Sequence, residues 1–190
     1  MFSRTLAPAL RQTSRVALPR AIGFQQSQRF IKSDTHASDF NYKESPTIYK
    51  AQAKVTGGRA AGHAEGENLK VDFTMPKELG GTGEAGKTNP EELFAAAFAA
   101  CFQSSLNAVA PKLGVTMPTD PADVIVESTI HLVGSLEQVQ LALRAEMNVK
   151  ARGLDKETLE KLVTEASKKC PYSRSLRGNV WIAYTSEVME

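Results

Sequence analysis

Along residues 138–150, QVQLALRAEMNVK, apolar and polar side chains alternate. Val139, Leu141, Leu143, Ala145, Met147 and Val149 face one way, and Gln140, Arg144, Glu146, Asn148 and Lys150 the other. A period of two with one wet face predicts a strand of an antiparallel sheet. The preceding ADVIVESTIHLVG, residues 122–134, predicts its hairpin partner, with the turn at Gly134-Ser135 and His131 on the more polar face. Upstream, TIYKAQAKV (47–55) alternates through Tyr49, Ala51, Ala53 and Val55, and LKVDF through Leu69, Val71 and Phe73. Both predict strands, separated by a TGGR turn. NVWIAYT, residues 179–185, predicts a last one.

The period changes at NPEELFAAAFAACFQSSLNAVAPKLG. Asn89 suits an N-cap, Pro90 the first helical position and Glu92 the third, a capping-box arrangement whose acids also favour the helix dipole. Residues 93–110 carry no charge, and the seven alanines between 95 and 110 allow close packing of a neighbour. The apolar run 93–102 stops at Gln103, Ser104, Ser105 and Asn107, too short to span a bilayer, so a buried core helix is expected. A second helix starts at the cap Asp155, presents Leu159, Leu162, Val163 and Ala166 inward, and ends at Pro171. Cys170 is thereby expected in a turn freer than a helix interior. Strands joined by hairpins, with two helices between them, predict an α+β domain.

With 42% apolar and 23% charged residues, the 190-residue chain has material for one core. Its charge is uneven. Residues 1–33 hold Arg4, Arg11, Arg15, Arg20, Arg29 and Lys32, and the first acid is Asp34. Removing those six positives from the net +2 leaves −4, so the basic balance belongs to this leader and does not mark a nucleic-acid surface. Rich in Arg, Ser and Ala, free of acids and without a continuous apolar core, residues 1–33 read as a mitochondrial transit peptide. A flexible segment, 34–46, and a single domain, 47–190, are expected after it, in the mitochondrial matrix. The two cysteines, Cys101 and Cys170, and the scattered His36, His63 and His131 have no metal-ligand spacing, so no metal site is expected.

GTGEAGKT, residues 81–88, matches the phosphate-loop pattern G-x-x-x-x-G-K-[ST]. Its context argues against nucleotide binding. Pro76 breaks the preceding segment, and Pro90 delays the helix past Lys87 and Thr88, whereas a phosphate loop runs from a buried parallel strand directly into its helix.

Two stretches remain, FAAAFAACFQSS around Cys101 and KCPYSRSLRGNV around Cys170. Taken alone, Cys101 reads as a small buried hydrophobe, Arg59 as a surface hairpin arginine and Glu91 as a helix N-terminal acid. A mid-helix cysteine needs a cation from elsewhere to become a thiolate. Phe98 and Phe102 suit either the core or the wall of an apolar pocket.

GGTGEAGKTNPEELFAAAFAACF, CPYSRSLRGNV and VTGGR together resemble the Ohr branch of the OsmC/Ohr family, the organic hydroperoxide resistance proteins, from about Thr47 to the C-terminus. The resemblance implies an OsmC-like α+β fold, with antiparallel sheets around a long buried central helix in an intertwined homodimer. It implies a thiol peroxidase without metal, flavin or haem. Cys101 falls on the family's peroxidatic cysteine, Cys170 on the resolving cysteine, Arg59 on the arginine that stabilises the thiolate, and Glu91 on the acid paired with it. The substrate class implied is organic hydroperoxides, and the reductant a dithiol such as lipoyl groups on proteins. Residues 60–68, AAGHAEGEN, depart from the family's continuation after GGR, and Lys87 stands as an extra residue in the glycine loop. Both bear on substrate access.

One consequence is geometric. Glu91 and Cys101 are ten residues apart on one helix, about 15 Å along its axis, so a shared site requires Arg59 and Glu91 from a second subunit. The competing reading is a non-catalytic dimeric stress or lipid-binding module with structural cysteines.

Overall fold

The computed structural model describes residue 41 and residues 43–190. The leader 1–33, His36 and most of the segment 34–46 lie outside the described residues. Two three-stranded sheets form. In the first, β1 (Ala53–Thr56), β2 (His63–Gly66) and β3 (Lys70–Asp72) are antiparallel neighbours in sequence order. The long helix α1 (Pro90–Val109) follows, then β4 (Val124–Ser135), β5 (Gln140–Ala151), α2 (Lys156–Lys169), α3 (Pro171–Leu176) and β6 (Trp181–Val188). The second sheet has the order β4-β5-β6.

Local chemistry starts α1 as the sequence predicts. The Asn89 side chain accepts the Glu92 N–H at 2.9 Å, with Pro90 in the first turn. The Glu92 carboxylate does not close a capping box; it accepts the Thr88 hydroxyl at 2.7 Å, tying the incoming loop to the helix. Asp155 caps α2 in the same manner, accepting from Thr158 N–H at 2.9 Å.

The core forms where α1 and α2 pack on the second sheet. Phe98, Phe102 and Leu106 of α1, Leu159, Leu162, Val163 and Ala166 of α2, and Ala145, Met147, Val149 and Ala151 of β5 are buried. Each large apolar side chain here contributes about 1.5–3 kcal/mol of transfer free energy. The alternation of β5 is realised in its C-terminal half, whereas Val139 and Leu141 are exposed at the hairpin end, beyond the helices. α1 is buried on one side only; Ala96, Ala100 and Ser104 form an exposed row of small residues on the other.

Four expectations are corrected. The first strand begins at Ala53, not Thr47, and all four of its residues are exposed, because nothing among the described residues covers them. The β4-β5 turn lies at 136–139, since the ladder continues through Gly134↔Leu141 and Ser135↔Gln140. Gly134 is there for close approach: a Cβ on it would stand 2.0 Å from the Gln140 carbonyl oxygen. The second sheet is mixed, with β4 antiparallel and β6 parallel to β5, because the chain returns through α2 and α3 over the sheet. Finally, Cys170 is fully buried and held, its N–H donating to Ala166 O at 2.8 Å and its carbonyl accepting from Arg174 N–H at 2.9 Å.

Candidate active site

Cys101 lies midway along α1 and is partly exposed; Cys170 sits at the corner that ends α2 and begins α3. The core contact between these helices brings the two sulfurs to 3.6 Å, both as free thiols. A disulfide is about 2.05 Å long, so the two sulfurs stand within about 1.6 Å of bonding distance. The surroundings do not favour ionisation of Cys101. Burial pushes its thiol up, the Tyr172 backbone N–H pulls it down, and the neighbouring Cys170 pushes it up again.

Aromatic side chains build the wall beside the sulfur. Phe94, Phe98 and Cys101 follow one another at helical spacing on one side of α1. Tyr172, from the first turn of α3, stacks on Phe94 with ring centroids 6.0 Å apart and packs against Phe98 at the same distance. Phe98 is completely buried, as is Phe102, so both belong to the core; Phe94 and the 37%-exposed Tyr172 leave part of the wall open. Sequence reasoning missed this pair. The spacing of Phe94 was legible, but the approach of Tyr172 is a tertiary contact.

The other two predicted residues form a second cluster. The loop between β1 and β2 carries Arg59, whose Nη1 pairs with Glu91 Oε2 in the first turn of α1. The loop is tight, because a Cβ on Gly62 would stand 2.5 Å from the Gly58 carbonyl oxygen. The Glu91 side chain is only 16% exposed, so the charge pair is partly desolvated. Cys101 is ten residues further along α1, about 15 Å up the axis. The fold therefore pairs Cys101 with Cys170, and Arg59 with Glu91, without joining the pairs inside one chain.

The phosphate-loop lookalike uses several of its polar groups in local contacts. Lys87 Nζ donates to Glu84 Oε2 at 2.9 Å, Thr88 N–H donates to Asp72 O, and Gly83 N–H to Met75 O. His131 contacts Glu146 at 3.1 Å on the outer side of the second sheet. His63, in the departing stretch after Arg59, lies between two carboxylates, with Nδ1 2.6 Å from Asp72 and Nε2 3.1 Å from Glu65.

Residues 81–185 match the family model described as OsmC-like protein. The chain is 37% identical over 140 residues to the organic hydroperoxide resistance protein of Xanthomonas axonopodis pv. citri, covering 73% of this chain and 94% of that one. It is 34% identical over 137 residues to the organic hydroperoxide resistance protein OhrB of Bacillus subtilis, covering 70% and 93%. The crystal structure of an organic hydroperoxide resistance protein from Legionella pneumophila superposes with a TM-score of 0.67 at 39% identity, over 75% of this chain and all of that one.

Proposed function

This chain belongs to the OsmC-like family, in its organic hydroperoxide resistance branch, and we propose that it is a thiol peroxidase acting through Cys101 and Cys170. The observation that carries the reading is the 3.6 Å approach of a partly exposed thiol to a fully buried one, beside the aromatic wall of Phe94 and Tyr172. The Cys101 thiolate attacks the outer oxygen of an organic hydroperoxide. The O–O bond breaks, an alcohol leaves, and Cys101 is oxidised to a sulfenic acid. Cys170 then attacks the Cys101 sulfur; the S–O bond breaks, water leaves and the disulfide forms. A dithiol of the dihydrolipoyl class returns both cysteines to thiols by exchange.

The Arg59–Glu91 pair supplies a cation for the thiolate. A guanidinium holds a carboxylate and a thiolate together with its fixed fork of donors, which an ammonium does less well. Because one chain separates this pair from Cys101 by about ten helical residues, Arg59 and Glu91 of one protomer serve Cys101 of the other in a C2 dimer. The exposed row Ala96, Ala100 and Ser104 on α1 and the uncovered β1 residues are surfaces that such a dimer buries. Residues 1–33 serve as the address to the mitochondrial matrix, where lipoyl dithiols are at hand.

The test mixes reduced protein with cumene hydroperoxide and dihydrolipoamide. Peroxide-dependent oxidation of the dithiol is expected, together with a Cys101–Cys170 disulfide in protein oxidised without the dithiol. Loss of both in Cys101→Ser supports the reading; no turnover by the wild type overturns it. Residues 1–33 fused to a fluorescent protein should carry it into mitochondria, and a cytosolic fusion removes the localisation.

A further inference from the structure

The corner that carries Cys170 is a short segment held by a few specific contacts. α3 has only six residues, too few for a helix to sustain itself, and its single buried residue is polar: Ser173. That hydroxyl accepts the O–H of Tyr184 from β6 at 2.8 Å, a contact buried on both sides. The Tyr184 ring stacks on Phe102, the residue after Cys101 in α1, with centroids 5.3 Å apart. Tyr184 thus touches the helix of one cysteine with its ring and the segment of the other with its hydroxyl. Burial pushes the phenol up to about 12, so it remains an O–H donor across the working range of pH. A further tie is Arg177, just past α3, whose Nη2 donates to Ser167 O in the last turn of α2 at 3.0 Å.

We propose that Tyr184 is a positioning residue for the resolving thiol: its hydroxyl, bonded to Ser173, fixes the α2–α3 corner so that Cys170 captures the Cys101 sulfenic acid before a second hydroperoxide does. The inference rests on the peroxidase reading above. Two reactions compete for the sulfenic acid. In one, Cys170 attacks the Cys101 sulfur, the S–S bond forms and water leaves carrying the thiol proton. In the other, a second hydroperoxide transfers its outer oxygen to that sulfur, giving a sulfinic acid and an alcohol, which ends the cycle. Only the first depends on where the corner stands. A loosened α3 lowers the fraction of molecules with the sulfurs in reach; its effect on the first peroxide passes only through Tyr172 of the same helix and is read separately as sulfenic acid formation.

Tyr184→Phe keeps the ring on Phe102 and removes only the donor; Ser173→Ala removes the acceptor and leaves both rings in place. Each is reduced, mixed with limiting cumene hydroperoxide and followed through one turnover. Sulfenic acid formation is read by dimedone trapping, disulfide closure by quenched alkylation, and sulfinic acid by mass spectrometry at rising peroxide. The expected result is disulfide closure from the sulfenic acid slower by about fivefold, the weight of one buried hydrogen bond, a smaller change in sulfenic acid formation, and sulfinic acid at correspondingly lower peroxide. The double variant should be no slower than the worse single one. Disulfide closure at the wild-type rate in either folded variant overturns the role of Tyr184. A wild type that forms no disulfide at all overturns the peroxidase reading instead.

Discussion

Cys170 Sγ stands 3.6 Å from Cys101 Sγ, although 69 residues separate them, and the two differ in access: Cys170 is completely buried while Cys101 is not. An incoming peroxide or thiol therefore reaches Cys101 first. Cys170→Ser should accordingly complete one peroxide reduction and stop, accumulating a sulfenic acid on Cys101 that dimedone traps and excess peroxide converts to sulfinic acid. Cys101→Ser should react with neither reagent. A Cys170→Ser protein that turns over with dihydrolipoamide at the wild-type rate would remove the intramolecular disulfide from the cycle.

Within one chain the Arg59–Glu91 pair and Cys101 are about 15 Å apart along α1, which makes the shared site a question of subunit exchange. Inactive Arg59→Ala and inactive Cys101→Ser proteins, mixed and allowed to exchange subunits, should regain activity. Each mixed dimer then has one site with an intact arginine from one subunit and an intact cysteine from the other, about a quarter of all sites at random exchange. If arginine and cysteine worked within the same chain, both sites of every mixed dimer would be dead and mixing would restore nothing.

What the sequence disclosed divides by how local the cause is. The starts of α1 and α2 were readable because Asn89, Pro90 and Asp155 act within four residues of themselves. The inward residues of α2 followed from helical spacing alone. The parallel placement of β6 was not readable, since it depends on α2 and α3 crossing the sheet, and composition around Trp181 is the same for either direction. Glycine commonly marks turns, whereas Gly134 serves a close approach of paired strands and Val139 takes the left-handed position, with φ of +53°. At the site, motifs supplied the cysteines, Arg59 and Glu91. Tyr172, Ser173 and Tyr184 were invisible because their partners lie on other elements.

The aromatic wall predicts substrate preference. Phe94 and Tyr172 stack beside Cys101 with an exposed edge, offering apolar contact to a bulky peroxide and little to hydrogen peroxide. Tyr172→Ala should raise KM for cumene hydroperoxide by about tenfold, the weight of a partly buried aromatic contact, while the rate with hydrogen peroxide changes little. Equal losses with both peroxides would show that Tyr172 acts on the thiol and not on the substrate.

His63 gives the first sheet a pH dependence whose sign follows from its partners. Its hydrogen bond to Asp72, then that to Glu65, raises its pKa above 6.5, and the same contact lowers Asp72 below 3.8, with Lys87 and Lys70 adding to the effect on Asp72. The His63 contribution is fully present below 6.5 and is lost as pH rises through the raised value; the Asp72 contribution is present above 3.8 and is lost as pH falls through the lowered value. The stabilisation is therefore greatest between those two limits. Thermal unfolding midpoints of wild type and His63→Gln should differ most between pH 4 and 6.5, by about the weight of an exposed ion pair, and converge at alkaline pH. A difference that persists unchanged above the raised histidine pKa would mean that His63 stabilises by packing and not by charge.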